Sequence, residues 1–202
     1  MKNVTINGAP ALRAISGGEV QGNIFDNLKV TGYNSTYGLD LLPGTYNNCS
    51  FVGPDDSGKE GPAAGKPGVY EFNQCTFTGY GGLKAGHANL DLKIVNSKFQ
   101  STGNAPVISV DAAKQVRIEQ NKIEAKGITS SNTEIIKLND FWQRDKANDI
   151  MAATIKGNTI SSNIEAIGIS TVYVGTGAPA FDISNNTLLK AVYKLKANDV
   201  KS

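Results

Sequence analysis

One histidine, one tryptophan and two cysteines are the whole supply, in 202 residues, of three side-chain types often found in metal sites, nucleophilic centres and aromatic anchors. Two cysteines with no second pair and no histidine beside them do not make a zinc site, so no metal and no cofactor is expected. No run of 18 apolar residues occurs, which argues against a membrane-spanning helix. The opening Met1-Lys2-Asn3-Val4-Thr5-Ile6-Asn7-Gly8 has no apolar stretch long enough for a secretory leader, so a protein made in the cytoplasm is expected. Charge of one sign is missing as well. Twenty Lys and Arg face 18 Asp and Glu, and no strong field for nucleic acid arises. Helical periodicity is absent, while 22 glycines with many Asn, Ser and Thr suit a turn-rich β protein.

What the chain does have is a nine-residue phrase that returns seven times: IFDNLKVTG from Ile24, TYNNCSFVG from Thr45, EFNQCTFTG from Glu71, KIVNSKFQS from Lys93, RIEQNKIEA from Arg117, TIKGNTISS from Thr154 and DISNNTLLK from Asp182. Position two is large and apolar or aromatic (Phe25, Tyr46, Phe72, then four isoleucines), and so is position seven (Val30, Phe51, Phe77, Phe99, Ile123, Ile160, Leu188). Position five is mostly small or amide-bearing: Leu28, Cys49, Cys75, Ser97, Asn121, Asn158, Asn186. Polar and apolar residues alternate on either side of positions four and five, which reads as strand, sharp bend, strand. Phrase starts lie 21 to 37 residues apart, the length of one coil of two or three short strands. Segments such as Gly38–Leu41, Val107–Val110, Glu134–Leu138 and Ile167–Ser170 supply a further strand per coil.

A coil with one inward row cannot bury it alone, but stacking coils builds a continuous core. At about 4.8 Å per parallel rung, seven coils make a rod on the order of 35 Å long. Phe51, Phe77 and Phe99 are expected to stack inside. Asn121, Asn158 and Asn186 are expected to form an amide ladder at the bend, where Asn tolerates left-handed backbone. Arg117 and Lys93 become rung neighbours, as do Lys98 and Lys122. Cys49 and Cys75 fall one rung apart, close enough for a disulfide and equally suited to two buried free thiols. The expected fold is all-β: one solenoid domain over residues 1–202, of about seven coils, with surface insertions at about 53–68 and 138–152.

Carried by phrases with Asn at the bend, such as Gly157-Asn158-Thr159-Ile160 and Asn185-Asn186-Thr187-Leu188, the chain resembles the right-handed parallel β-helix proteins of the pectate-lyase-like superfamily. The resemblance covers roughly residues 20 to 190 and is closest in character to the phage virion and tailspike type. Proteins with this architecture include polysaccharide lyases and epimerases, tailspikes and other virion proteins, and surface adhesins, so the fold alone names no chemistry. The resemblance implies a structural protein that self-associates, commonly as a trimer, or binds a viral coat lattice. Its location would be the virion, after synthesis in the host cytoplasm. The alternative is a carbohydrate-active or polysaccharide-binding protein, secreted or at a cell surface. Neither nucleic acid nor a membrane is an expected partner.

No catalytic constellation is visible, but several residues are candidates for binding. The insertion around 138–152 holds Phe141, Trp142 and Arg144, types that anchor interfaces. They suit equally a sugar-stacking platform, or a short helix folded back on the rod. His87, with Asp91 four residues on, is a candidate general base or sugar contact, or else a solvated turn residue. Asp55 and Asp56 are adjacent acids in a Gly/Pro-rich segment, either a carboxylate pair of the kind glycosidases use or part of a flexible lobe. The tail from Leu189 to Lys196 alternates apolar residues with lysine, as an edge strand with gatekeepers or a swapped arm would.

Overall fold

The computed structural model describes residues 1–7, 22–33, 39–55, 61–139, 150, 152–172 and 180–195. They form 20 strands and no helix, and every strand pairing is parallel. The first half of each phrase is a strand of one seven-stranded sheet: β2 (Asn23–Asp26), β5 (Gly44–Asn47), β8 (Gly68–Asn73), β11 (Leu90–Val95), β14 (Gln115–Glu119), β17 (Ala152–Lys156) and β19 (Ala180–Ser184). The second halves form a second face: β3 (Lys29–Thr31), β6 (Ser50–Val52), β9 (Thr76–Gly79), β12 (Lys98–Ser101), β15 (Lys122–Ala125) and the starts of β18 (Thr159–Val172) and β20 (Thr187–Lys194). A third face holds β4 (Leu39–Asp40), β7 (Pro62–Ala64), β10 (Leu83–Gly86), β13 (Ile108–Ala112), β16 (Glu134–Asn139) and the ends of β18 and β20. β18 runs round the corner between second and third faces and joins them into one 13-stranded sheet.

The chain is therefore a parallel β-solenoid, and the phrases lie in register from end to end: Ile24 on Thr45, Thr45 on Glu71, then Lys93, Arg117, Thr154 and Asp182. Seven in-register strands bound six complete turns, against the expected seven coils. A further partial coil precedes them. Thr5–Asn7 is β1 and pairs with β3, Lys2 bridges to Asp26, and Asn3 repeats the bend. The segment 1–7 is thus a further copy, from position two at Met1 onward, that the phrase comparison misses.

The inward rows close the core by stacking like on like. Phe51 lies on Phe77 with ring centres 5.0 Å apart, and Phe77 on Phe99 at 4.5 Å and 4° between planes. A second stack, Phe25–Tyr46–Phe72, runs beside the first at position two, and the two meet edge to face. Rungs impose this arrangement: equivalent Cβ atoms sit one ladder step apart, which is offset-stacking distance for rings. Isoleucines continue both rows toward the C-terminus, fully buried at Ile94, Ile118, Ile123, Ile155 and Ile160. On the third face the inward row is Leu39, Pro62, Leu83, Ile108, Ile136 and Ile169. β7 lies inside the segment that reads as an insertion at 53–68. Its corner is closed by glycine: a Cβ on Gly61 would meet the carbonyl oxygen of Gly82 at 1.6 Å.

The bend differs from expectation in one respect. The left-handed residue is position four, not five: Asn27, Asn48, Gln74, Asn96, Gln120, Gly157 and Asn185 all have φ between 51° and 63°. Position five instead points its side chain inward, where it completes hydrogen bonding that the bend interrupts. Asn158 Nδ2 donates to the carbonyl of Ile118 in the coil before, and Asn158 Oδ1 accepts from the backbone N–H of Asn121. Asn121 and Asn186 repeat the pattern one coil earlier and one coil later, and the three amides bond each other at 3.0 and 2.9 Å. Ser97 Oγ accepts from Cys75 N–H and donates to the Phe72 carbonyl in the same manner. Cys49 and Cys75 donate to the carbonyls of Phe25 and Tyr46. Both thiols are free and buried. The neighbouring Cys49 thiol, and then burial, push the Cys75 thiol up from its ordinary value.

Two substitutions separate the packing from the ladder. Phe77→Ala removes the middle ring of its stack and is expected to cost about 3–5 kcal/mol, read from the urea midpoint. Asn158→Ala strands the Asn121 N–H and the Ile118 carbonyl. It is expected to cost about 1–3 kcal/mol for each group left unpaired, and more than Asn186→Ala at the exposed end.

Candidate functional site

The flanks of the rod are wet and charge-matched. Lys93 and Arg117 are rung neighbours, as expected, and each is offset by an acid: Lys93 by Glu71 on the preceding strand, Arg117 by Glu119 at 2.8 Å. Lys98 and Lys122 also share a rung, and Lys122 and Lys126 both contact Glu124 at 2.6 and 3.3 Å. A hydrogen bond from Gln100 and the two lysines hold the Glu124 carboxyl down at about 2. An outward amide row adds Asn47 Nδ2 to Asp26 and Asn73 Nδ2 to Asn47. Such surface pairs are individually weak.

The residues singled out by sequence do not converge. His87 closes the turn between β10 and β11. Its Nδ1 accepts from the Asn89 N–H at 3.0 Å and its carbonyl accepts from Leu90 N–H. Accepting at Nδ1 leaves the proton of the neutral ring on Nε2. Asp91 lies just beyond, on the outer side of β11, and its Oδ1 is buried with no hydrogen-bond partner. Asp55 is exposed at a different corner, after β6, where it accepts from Thr102 Oγ1 at 2.9 Å. The third face separates that corner from His87 and Asp91. Asp56, Phe141, Trp142 and Arg144 lie outside the described residues, as does most of the 138–152 insertion. Among the described residues no group of three or more His, Cys, Asp or Glu could hold a metal ion, and no helix is long and apolar enough to cross a membrane.

The tail, which its sequence presents as an edge strand or a swapped arm, stands out at the C-terminal end. β20 pairs with β18 on one side and with no other described strand. It turns the corner at Lys190, whose φ is 53°. Leu189 continues an outward row above Ser161, whereas Tyr193 sits above Ile169 and so ends the inward row of the third face. The Tyr193 ring reaches across the end of the core, its hydroxyl 3.5 Å from the Asn186 carbonyl. Leu189, Val192 and Tyr193 are 51%, 48% and 43% exposed, although Ile167 and Ile169, the counterparts of Val192 and Tyr193, are buried. Lys190 and Lys194 flank them, and Lys190 Nζ reaches only the backbone carbonyl of Asn163. Alternation of apolar residues with lysine in the tail was the available signal. Its weight was hidden because exposure at an end depends on what stacks above.

No protein-family model matches this chain, and neither a characterised protein nor a solved structure shows significant similarity to it.

The Glu124 cluster has a pH signature. A carboxyl held near 2 when folded and near 4.3 when unfolded stabilises the fold at pH values above about 4.3, and that contribution is lost as pH falls through about 2. Glu124→Gln is therefore expected to show a smaller drop in thermal midpoint between pH 5 and pH 2.5 than the parent chain.

Proposed function

We propose that this chain is a non-enzymatic structural or interaction protein, in keeping with a phage virion component such as a capsid decoration protein or a tailspike-like module. Its rigid solenoid would serve to hold neighbouring subunits. The observation that carries this reading is where apolar surface is exposed. Seven large apolar side chains are exposed among the described residues, and all but Val69 lie toward the two ends: Met1 and Ile24 at one, Ile164, Leu189, Val192 and Tyr193 at the other. Along the flanks, Lys93, Arg117 and Lys122 are among the cations paired with acids, and polar residues alternate outward, as a solvated surface requires. Exposed apolar residues gathered at one place mark contact sites, whereas scattered single ones do not. Phe141, Trp142 and Arg144 on the long insertion are further candidates for such contacts, and a trimer is the proposed assembly.

A second reading, a protein acting on or binding a polysaccharide, draws on Asp91. A buried carboxylate oxygen without a partner is costly to leave unmet, and a sugar hydroxyl is a chemically suitable donor.

Light scattering on a sizing column, for the parent chain and for Trp142→Ala, tests the first reading. The expected result is a mass of three times the 21.3 kDa chain that falls toward one chain in the mutant, with the far-ultraviolet spectrum of the solenoid unchanged. A monomer indifferent to that substitution, together with no retention on a coat lattice, overturns it. Depolymerisation or retention of an acidic polysaccharide that Asp91→Asn abolishes would favour the second reading.

A further inference from the structure

The C-terminal end of the rod offers more than an apolar patch: it has an orientation, a register and a charge. We propose that the outer edge of β20 receives a β-strand from a different protein, one that alternates apolar and acidic residues. This rests on the interaction reading above and specifies the partner.

The edge itself supplies the first part of the argument. Every other described coil is covered by the next, and from β10 to β20 the third face repeats one scheme, with an inward apolar residue beside an outward polar one. At the last described rung the inward residue is Tyr193 and the outward one is Lys194, which stands above Ser170. A strand added in the same register would place one side chain over the Tyr193 ring and the next beside the Lys194 ammonium. The first must be apolar to cover a ring 43% exposed, and to shield the partly buried Leu188, Ala191 and Leu195 beneath the end. Main-chain hydrogen bonds to the free edge would supply affinity, and the alternate side chains selectivity.

Charge supplies the second part. Along the flanks the recorded cation–carboxylate pairs join Lys93 to Glu71, Arg117 to Glu119, Lys122 to Glu124, Lys137 to Glu134 and Lys156 to Asp182. Asp182, the one acid of the last described coil, is thereby engaged by Lys156 from the coil below. Lys190 and Lys194 stand at the edge with no carboxylate contact among the described residues. Two such lysines repel a second copy's identical edge. The same lysines attract an acidic strand, and at an edge partly shielded from water each such pairing strengthens. One surface therefore discriminates against pairing with its own copy edge to edge and for an acidic strand.

The probe is a labelled eight-residue peptide of alternating valine and glutamate, blocked at both ends, with a valine–lysine peptide of the same length as control. Each is titrated with the full-length protein at pH 7.5 and followed by fluorescence anisotropy. The valine–glutamate peptide is expected to bind at least ten-fold more tightly than the valine–lysine peptide, and to weaken as salt is raised. The double variant Lys190→Glu, Lys194→Glu is expected to reverse that preference while melting with the parent. Val192→Pro, which obstructs pairing on the last strand, should remove binding of both, with the far-ultraviolet spectrum checking that the rod persists. Binding that ignores the lysine reversal, or no binding of the acidic peptide, overturns the proposal. So does a parent oligomer that dissociates on Lys194→Glu, because the edge would then be occupied by a second copy. If the acidic peptide fails to bind while Trp142→Ala still breaks an assembly, the acidic-strand partner falls and the interaction reading stands.

Discussion

Everything in this molecule depends on the turn at positions four and five of the phrase. A left-handed residue lets the chain reverse tightly enough to close a coil. It also takes one N–H and one carbonyl per coil out of the sheet ladders. In the later coils the side chain at position five of the adjacent coil restores both, as Asn158 does for Asn121 and Ile118. These coils are thus locked to their neighbours by bonds that exist only when the stack is in register. A slip of one residue would place every aromatic of the inward rows on the solvent face.

That constraint explains where the chain tolerates variation. The bend is the same length in every phrase, whereas the corners absorb differences in spacing between phrases, from the glycine closure at Gly61 and Gly82 to the 37-residue interval before Thr154. The N-terminal coils fill position five with Val4, Leu28 and two cysteines and rely on stacked rings. The C-terminal coils use isoleucine with the asparagine ladder. Both solve one problem, since a coil gains apolar burial and hydrogen-bond closure only from the coil next to it.

A solenoid built this way has flanks that satisfy themselves and ends that do not. Many charges along the sheets are paired, while the last described rung keeps an edge with no described strand beside it, an exposed tyrosine and two lysines. Position in the stack, more than residue type, gives Tyr193 its role: one rung below, the equivalent Ile169 is buried.

The sequence by itself determined the coil, its inward rows and its register, because one-dimensional periodicity maps directly onto a structure in which each unit touches only its neighbours. The Phe51–Phe77–Phe99 stack, the Asn121–Asn158–Asn186 ladder and the charged rungs were all legible for that reason. Tertiary structure decided what periodicity does not encode. Position four rather than five takes the left-handed backbone, because position five is needed inward to meet the orphaned carbonyl. Pro62–Ala64 and Leu83–Gly86 become strands despite weak β propensity, because rungs above and below pair with them. Met1–Asn7 completes a further bend that only its pairing with β3 reveals. Asp55 stands at a different corner from His87 and Asp91, since sequence distance along a coil says nothing of which corner a residue occupies. Exposure at the last rung was likewise not a property of Leu189, Val192 or Tyr193 as residues, because it follows from their having no described coil above them.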